Sequence, residues 1–315
     1  MPKLLSIGEL LIDFIPHQKS KKLKDVDSFE RVAGGAPANV CACVAKLGLK
    51  SLMMTQVGHD AFGEYLVEKL GETGVDVSFI KKTDAANTAL AFVSLDQHGE
   101  RDFSFYRNPS ADMLYHEQNL DEISFDEGDI LHFCSVDLIE SPMKKAHQKA
   151  IQKAHEKNMI VSFDPNLRFP LWKDHNLYKE TINEFIPQAH ILKISHDELD
   201  FITGEKNREK SITSLFRGHV KVVIITEGSV GATIYTKQGS MFVPSIKTEV
   251  VDTTGAGDSF IGAILYKLLL KKTTYNSLDV DIDHDVISFA HKVSSYVIAR
   301  YGAIPSLPTL KDLQF

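Results

Sequence analysis

The sequence predicts an α/β protein of three layers, in which helices cover both faces of a mainly parallel β-sheet. A buried strand at residues 130–134 is followed by a helix at 142–157 and by a second strand at 159–163. A helix that joins two strands in this way makes them parallel. Further short apolar runs at 191–194 and 220–226 continue the same rhythm towards the C-terminus.

Length and composition limit what this protein can be. The 315 residues suit one large α/β domain or two modest ones. Hydrophobic residues make up 43% of the chain and can fill a sizeable core. The formal net charge of −7, with a pI near 6.0, disfavours nucleic acid or an anionic membrane as the main partner. An anionic cofactor would therefore need a local basic or dipolar site.

The cysteines and the N-terminus indicate a compartment. The three cysteines are too few for a disulfide framework, and we expect Cys41 and Cys43 in the core rather than in a metal site. The N-terminus has neither a charged leader nor a run of about 18 apolar residues. These features predict a soluble, cytoplasmic protein.

Two extended parts of the N-terminal half do not fit the parallel rhythm. Residues 88–95 and 102–106 alternate as strands, and a turn at 97–100 makes them a hairpin. The run at 11–15, which contains Asp13, is also extended. We predict that these segments form a small separate sheet.

Gly34 and Gly35 form a tight turn before a helix that starts near Pro37 and ends near residue 47. One interpretation is a plain junction between a loop and a helix. The other is a floor of bare backbone on which a small polyol lies, with Asn39 bonding to its hydroxyls. The residues alone leave both open.

Residues 251–260, Val-Asp-Thr-Thr-Gly-Ala-Gly-Asp-Ser-Phe, follow a predicted strand at 248–251 and precede an apolar helix at 260–270. A strand, a glycine turn and a helix start together point free N–H groups at an anion. The amides of Gly255, Ala256, Gly257 and Asp258 would hold the charge of a transferred phosphoryl group, and the Asp258 carboxylate would deprotonate an alcohol. An isolated Gly-Ala-Gly-Asp is more often a capped turn.

Three longer strings resemble one family. Residues 251–260 resemble the C-terminal signature of the ribokinase-like (PfkB) carbohydrate kinases, and Gly-Gly-Ala-Pro-Ala-Asn-Val at 34–40 resembles the N-terminal signature, in the fructokinase branch in particular. Asp-Pro-Asn-Leu-Arg-Phe-Pro-Leu-Trp at 164–172 also resembles fructokinases. The resemblance spans essentially the whole chain. It implies one ribokinase-like domain over 1–315, with a discontinuous β-sheet lid from about 11–32 and 88–107.

The resemblance also implies a role for each candidate residue, with Asp258 as the catalytic base. The residues implied to hold the sugar are Asp13, Gly34, Gly35, Asn39, Phe105, Arg107 and Arg168. The residues implied to lie near the nucleotide are Lys193, Thr226, Gly228, Gly231, Phe289, Ala290 and Ser294. From the residues alone, Gly228 and Gly231 are simply a turn, and Phe289, Ala290 and Ser294 are simply core.

Two cations follow from the same resemblance. Glu198 would act on Mg²⁺ through water, in a family pattern Asn-x-x-Glu from which this chain departs at Ser195. K⁺ would lie beside the glycine turn, held by the residues Asp252, Thr254, Gly302 and Ser306. The alternative for Asp252 is a turn residue that caps the segment after it.

The function that the sequence predicts is ATP-dependent phosphorylation of D-fructose to fructose 6-phosphate. The partners are then a small sugar and ATP, with no nucleic acid and no membrane, and a homodimer is compatible with the sequence. A 2-keto-3-deoxygluconate kinase or a ribokinase of the same family is the alternative, since pockets change easily within one fold. A non-catalytic sugar sensor is disfavoured because Asp258 and both turn glycines are present.

Overall fold

The computed structural model describes residues 2–18, 21–95 and 101–313, so the turn predicted at 97–100 lies outside the described residues. The strands are β1 (Leu4–Ile7), β2 (Leu11–Pro16), β3 (Phe29–Gly34), β4 (Ser51–Met54), β5 (Gln56–Gly58), β6 (Lys81–Thr83), β7 (Leu90–Leu95), β8 (Arg101–Tyr106), β9 (Ile130–Cys134), β10 (Ile160–Asp164), β11 (Ile191–Ser195), β12 (Val222–Thr226), β13 (Gly231–Thr236) and β14 (Gly239–Pro244). The α-helices are α1 (Ala36–Lys46), α2 (Ala61–Gly71), α3 (Pro142–Glu156), α4 (His175–Phe185), α5 (His196–Thr203), α6 (Arg208–Leu215), α7 (Ala256–Lys271), α8 (Leu278–Asp281) and α9 (His284–Ile298).

The main sheet has eight strands in the order β14-β13-β12-β11-β10-β9-β1-β4. The strands from β12 to β4 run parallel, and β13 and β14 add an antiparallel edge. Because β4 lies on one side of β1 and β9 on the other, the direction of winding reverses at β1. Open α/β sheets bind ligands at such a reversal, beyond the carboxyl ends of the strands.

Helices cover both faces of this sheet. Alternate residues of a strand point to opposite faces. In β9, Ile130 packs in one core with residues of α1, α7 and α9, whereas Leu131 and Phe133 pack in a second core with residues of α3, α4 and α5. The predicted three-layer αβα arrangement is confirmed.

A second sheet of four strands has the order β3-β2-β7-β8. The strands β7 and β8 pair antiparallel, as the hairpin pattern predicts, and β2 joins β7 in parallel. Leu11 and Ala91 lie on one face beside Phe105, and Asp13 shares this face because side chains alternate along β2. The opposite face carries the stacked rings of Phe14 and Phe92, with centroids 4.6 Å apart.

The prediction of a strand at 248–251 is wrong. Residues 245–250 have no regular secondary structure. The N–H groups of Val251 and Asp252 instead donate to the carbonyl oxygen of Ile298, at 2.8 and 3.2 Å. The last carbonyls of a helix have no intrahelical partner, so the C-terminal end of α9 can accept these two N–H groups in place of a neighbouring strand.

The cysteines lie in the core, as the sequence predicts. Cys41, Cys43 and Cys134 are all buried and unpaired. No helix within the described ranges is long and apolar enough to cross a membrane.

The helices α1 and α7 pack closely at Gly262, where a Cβ would lie 2.8 Å from the Cβ of Cys43. We expect Gly262→Ala to overpack this contact and to lower the free energy of unfolding by about 1–3 kcal/mol. The control is Gly71→Ala in α2, where the nearest atom to an added Cβ is 3.7 Å away. That change should stabilise the protein by about 0.4–1 kcal/mol, because it restricts the unfolded chain. Urea denaturation measures both, and equal values would contradict the close contact.

Candidate active site

The candidate residues meet at the carboxyl edge of the parallel strands. The strand β10 ends at Asp164, and the turn after it carries Asn166 and Arg168. The N-termini of α1 and α7 reach the same edge, since Asn39 of α1 and Asn166 both bond to Asp258 of α7. The site is therefore built from both ends of the chain around the reversal point of the sheet.

Asp258 lies in the first turn of α7 and is only 7% exposed. The side-chain amide of Asn39 donates to its Oδ2 at 2.8 Å, and that of Asn166 donates to its Oδ1 at 3.2 Å. Burial raises the pKa of Asp258, while the Asn39 hydrogen bond and the charges of Lys193 and Arg168 oppose the rise. A carboxylate that is buried and held by neutral amides has the properties of a general base.

The glycine turn before Asp258 has the geometry of an anion hole, with one correction. Gly255 has a φ of 76°, and a Cβ there would lie 2.7 Å from the Cβ of Ala303, so only glycine fits. The N–H of Ala256 donates to the carbonyl oxygen of Thr253 at 3.2 Å, which removes it from the expected set of free amides. The N–H groups of Gly257 and Asp258 have no backbone partner among the residues that the structure describes. These two amides remain available to an anion.

The glycine floor lies between two carboxyl residues of the N-terminal segment. Gly34 lies directly against the Asp13 carboxylate, and Gly35, with a φ of 109°, lies against the backbone carbonyl of Glu9. A side chain at either position would collide with these groups. Because Asn39 is in the first two turns of α1 and bonds to Asp258, the structure brings the predicted sugar floor next to the predicted base.

Arg107 is engaged in a way that its sequence context does not indicate. Its Nη2 donates to both Asp112 and Asp137, and the side chain is only 3% exposed. These two carboxylates raise the pKa of Arg107, although burial opposes them. The predicted sugar contact of Arg107 stays a prediction, and it would have to use a guanidinium nitrogen other than Nη2.

Lys193 and Arg168 are the cations close to Asp258. The Nζ of Lys193 donates to Asp164 Oδ2 at 2.8 Å and lies beneath Gly257, where a Cβ would come within 2.9 Å of it. Burial raises the pKa of Asp164 to about 6, although the charge and the hydrogen bond of Lys193 oppose the rise. The Nη1 of Arg168 donates to Asn166 Oδ1 at 2.7 Å. Lys193 therefore lies under the free amides, in reach of a phosphate bound there.

The residues expected near the nucleotide are only partly in place for that role. Ser294 donates to the carbonyl of Ala256 at 3.1 Å and so ties α9 to the glycine turn. Phe289 stacks on Tyr266, with ring centroids 5.8 Å apart. Ala290 is 0% exposed and packs in the core, and its expected place near the nucleotide stays a prediction.

Thr226 and the two glycines of the next turn follow β12. Gly228 is exposed, with a φ of 53°. Gly231 is buried, and a Cβ there would collide with the backbone carbonyl of Val243 in β14. Packing of the sheet edge is thus sufficient to require glycine at 231, whereas Gly228 faces solvent and leaves room for a ligand.

Glu198 is oriented by two backbone amides. Its Oε1 accepts from the N–H of Leu167 at 2.6 Å and its Oε2 accepts from the N–H of Ser195 at 2.8 Å. Ser195 replaces the family asparagine and forms a capping box with Glu198 at the start of α5. Because both oxygens already accept N–H groups, the carboxylate suits contact with a metal through water better than direct ligation.

Asp252 ties the glycine turn to the C-terminal loop. Its Oδ1 accepts from the N–H and hydroxyl of Thr254 at 2.9 and 2.6 Å, and its Oδ2 accepts from the N–H of Gly302 at 2.9 Å. Ser306 donates in turn to the carbonyl of Gly302 at 2.5 Å. The predicted turn role of Asp252 is confirmed, and the four residues named for K⁺ do lie together.

The comparisons with known proteins agree on one family. Residues 1–310 match the description of a pfkB family carbohydrate kinase. The chain belongs to this family. The probable fructokinase-5 of Arabidopsis thaliana is 39% identical over 314 residues, which cover 99% of this chain and 96% of that protein. The resemblance predicted from the sequence is confirmed.

Solved structures of pfkB-family kinases match the fold. The crystal structure of fructokinase with bound ATP from Xylella fastidiosa has a TM-score of 0.90 at 31% identity, with 99% of this chain and 96% of that chain covered. The fructokinase of Vibrio cholerae O395, in a fructose-, ADP- and calcium-bound form, has a TM-score of 0.88 at 30% identity, with 99% and 98% covered.

Sequence reasoning missed two residues of this kinase's site. Asn166 has a φ of 46° and bridges Arg168 to Asp258 through its two amide atoms. The Asp-Pro-Asn turn was the signal, since asparagine adopts left-handed conformations more readily than most residues. The second residue is Glu9, which stands in an apolar run and is the only acidic residue before Asp13 in the sequence.

A group of three histidines, His155, His190 and His219, lies on the kinase away from Asp258, and their nearest ring nitrogens lie within 4.8 Å of one another. The Nδ1 of His190 accepts a hydrogen bond from the N–H of Val161 at 2.9 Å. The proton of the neutral ring is then on Nε2, which cannot bind a metal without losing it. The geometry therefore does not favour a three-histidine metal site.

We expect Lys193→Met to move the acidic limb of the kinase's kcat/KM profile to higher pH. A base works deprotonated, so activity falls as the pH falls through its pKa. Removing the Lys193 charge, which holds down the raised pKa of Asp258, lets that pKa rise further. Steady-state kinetics from about pH 5 to about pH 8 measure the shift. Lys271→Met, which removes a surface ion pair with Asp283, is the control. An unmoved acidic limb in Lys193→Met would show that the lysine does not act on the base.

Proposed function

We propose that this kinase transfers the γ-phosphoryl group of ATP to the primary hydroxyl of D-fructose, giving fructose 6-phosphate and ADP. The observation that carries the proposal is the buried Asp258 carboxylate, held by Asn39 and Asn166 beside the free amides of Gly257 and Asp258. The names and bound molecules of the fructokinases with the same fold support fructose and ATP as the substrates.

The proposed reaction uses these groups in one displacement. The hydroxyl oxygen forms a bond to the γ-phosphorus while the bond from that phosphorus to the β,γ-bridging oxygen breaks and ADP leaves. The hydroxyl proton goes to Asp258. The amides of Gly257 and Asp258, with the Lys193 ammonium beneath them, stabilise the charge on the transferred group.

The charges around the sugar floor support a neutral substrate. We propose that the sugar contacts Asp13, Gly34, Gly35, Asn39, Phe105, Arg107 and Arg168. Arg107 is already neutralised by Asp112 and Asp137, so it adds little positive charge to this end of the site. An acidic substrate such as 2-keto-3-deoxygluconate would need more positive charge than this, so the structure weakens that alternative.

The residues present fit the two cations that the sequence predicts. Mg²⁺ keeps several waters when it binds to proteins, and an oriented carboxylate such as that of Glu198 can accept hydrogen bonds from them. K⁺ prefers carboxylate and carbonyl oxygens, which Asp252, Thr254, Gly302 and Ser306 supply around one turn. When bound, Mg²⁺ would neutralise phosphate charge, and K⁺ would fix the loop that leads to the anion hole.

We also propose that the sheet β3-β2-β7-β8 acts as a lid within a single domain. Its face with Leu11, Asp13 and Ala91 adjoins the glycine floor through Asp13 and Gly34. Closure there would exclude water from the sugar and limit hydrolysis of ATP. The three buried, unpaired cysteines are compatible with the predicted cytoplasmic location. A homodimer stays a prediction.

We expect Asp258→Asn to lower kcat by about 10²–10⁴, the usual cost of losing a positioned base. The amide keeps the size of the side chain, so the affinity for fructose should change little. A coupled assay of ADP release measures kcat, and calorimetry measures fructose binding. The surface variant Asp126→Asn is the control, since the Asp126 side chain is 61% exposed and bonds to Lys3 and Ser124. Near-native turnover in Asp258→Asn would show that the base is another group.

We expect fructose to give the highest kcat/KM among fructose, glucose, ribose, tagatose and 2-keto-3-deoxygluconate. The physical reason is that a bare backbone floor, beside an Arg107 that Asp112 and Asp137 neutralise, suits an array of neutral hydroxyls. The same ADP-release assay over this panel decides between the candidates. A higher kcat/KM for 2-keto-3-deoxygluconate would assign the enzyme to the acidic-sugar branch, and one for ribose would assign it to the ribokinases.

A further inference from the structure

Glu9 holds the start of α1 from another part of the chain. Its side chain is 2% exposed, and its Oε1 accepts a hydrogen bond from the N–H of Ala36 at 2.9 Å. Ala36 is the first residue of α1, and Gly35 before it has no side chain with which to cap the helix. The first N–H groups of a helix need partners from outside it. Glu9 supplies one of them.

The part of the chain that Glu9 holds contacts both the sugar floor and the base. Its own carbonyl lies against Gly35, and the neighbouring Gly34 lies against Asp13. Four residues into the same helix, Asn39 donates to Asp258 at 2.8 Å. A displacement at Ala36 would therefore move the floor under the sugar together with a residue that orients the base.

The other oxygen of Glu9 is buried, and the charges of Asp137 and Arg107 act on this carboxyl group. Glu9 Oε2, Asp137 Oδ2 and Arg107 Nε have no hydrogen-bond partner within the described part of the chain. Arg107 also bonds to Asp112, so a single guanidinium serves three buried carboxyl groups. Unpaired buried carboxylates are costly, and a proton held between two of them reduces the excess charge.

We propose that Glu9 is a positioning residue of the sugar site. Its carboxyl group is protonated and donates a hydrogen bond towards Asp137, and this bond fixes the Gly34–Gly35 floor to Arg107 and its acidic partners. The inference rests on the proposed function. It assigns to Glu9 no contact with the sugar. The protonated carboxyl is the form that can accept from Ala36 with one oxygen and donate with the other.

The protonation equilibria of Glu9 and Asp137 agree with this geometry. Burial and the charge of Asp137 raise the pKa of Glu9 to about 8, and burial and the charge of Asp112 raise the pKa of Asp137 to about 7. Among the described residues, the titratable and charged groups near Glu9 are Arg107, Asp137, Cys134 and His147. Asp112 acts on Asp137 and bonds to Arg107.

Three of these groups keep their charge state around neutral pH. Burial lowers the pKa of His147 to about 4 and raises that of the Cys134 thiol, while the neighbouring carboxylates raise that of Arg107. The Glu9–Asp137 pair therefore keeps a proton up to about pH 8. Above that pH, all three carboxyl groups around Arg107 are negatively charged, and Glu9 no longer fixes the Gly34–Gly35 floor.

The experiment compares fructose binding by the wild type and Glu9→Gln, using isothermal titration calorimetry at pH 7 and pH 9. With the protonated form reduced to about a tenth at pH 9, the apparent Kd of the wild type should rise about tenfold. Glutamine cannot ionise, and it keeps one acceptor and one donor, so its Kd should be the same at both values of pH. Glu122→Gln, at a carboxylate that is 72% exposed and pairs with Lys81, should keep the wild-type response.

A second comparison separates positioning from a general loss of structure. Glu9→Ala should raise KM for fructose more than it lowers kcat, leave KM for ATP unchanged, and be rescued in large part by glutamine at pH 7. If Glu9→Ala does not fold, the comparison between the wild type and Glu9→Gln still tests the inference. Equal pH dependence of Kd in those two proteins, with fructose phosphorylated by both, would overturn the inference alone. A wild type that phosphorylates no fructose at pH 7 would instead overturn the proposed function.

Discussion

The structure depends on how one buried carboxylate, that of Asp258, is held. Asp258 is 7% exposed, and removing a carboxylate from water costs several kcal/mol unless other groups replace the lost hydration. Two amides, from Asn39 and Asn166, supply hydrogen bonds, and two cations, Lys193 and Arg168, supply charge from a short distance. The Asn39 hydrogen bond and the two charges oppose the rise that burial causes in the pKa of Asp258, and the hydrogen bonds to the carboxylate come from neutral amides. The neighbouring elements are arranged around this compromise.

The donors to Asp258 come from segments that are far apart in the chain. Asn39 precedes Asp258 by 219 residues and Asn166 precedes it by 92. The packing of α1 on α7 at Gly262 and the reversal of strand order at β1 bring these segments to one edge of the sheet. The base is therefore positioned by the whole fold, and a change in the helix interface acts on the chemistry through the Asn39 hydrogen bond.

Local chemistry explains which parts of the molecule the sequence predicts. Gly34, Gly35 and Gly255 stand where a Cβ would collide with neighbouring groups, and the glycine signatures were readable for that reason. The hairpin and the parallel strands follow from periodicity. The failures concern partners that are distant in sequence. At the predicted strand 248–251, the N–H groups of Val251 and Asp252 donate to Ile298 instead. The Ala256 amide donates to Thr253, and Arg107 pairs with Asp112 and Asp137. Neither composition nor spacing identifies which buried carboxylates an arginine will meet.

The charges of the site divide into two groups, and the division bears on substrate choice. On the phosphate side, Lys193 lies beneath the Gly257 amide and its bond to Asp164 leaves it two further protons with which to bind an anion. On the sugar side, Arg107 is committed to buried carboxylates that outnumber it. A polyanion is therefore favoured at one end and an uncharged molecule at the other. This asymmetry is what phosphoryl transfer from a nucleotide to a neutral sugar requires, and it arises from where the acidic partners of each cation lie rather than from the number of basic residues.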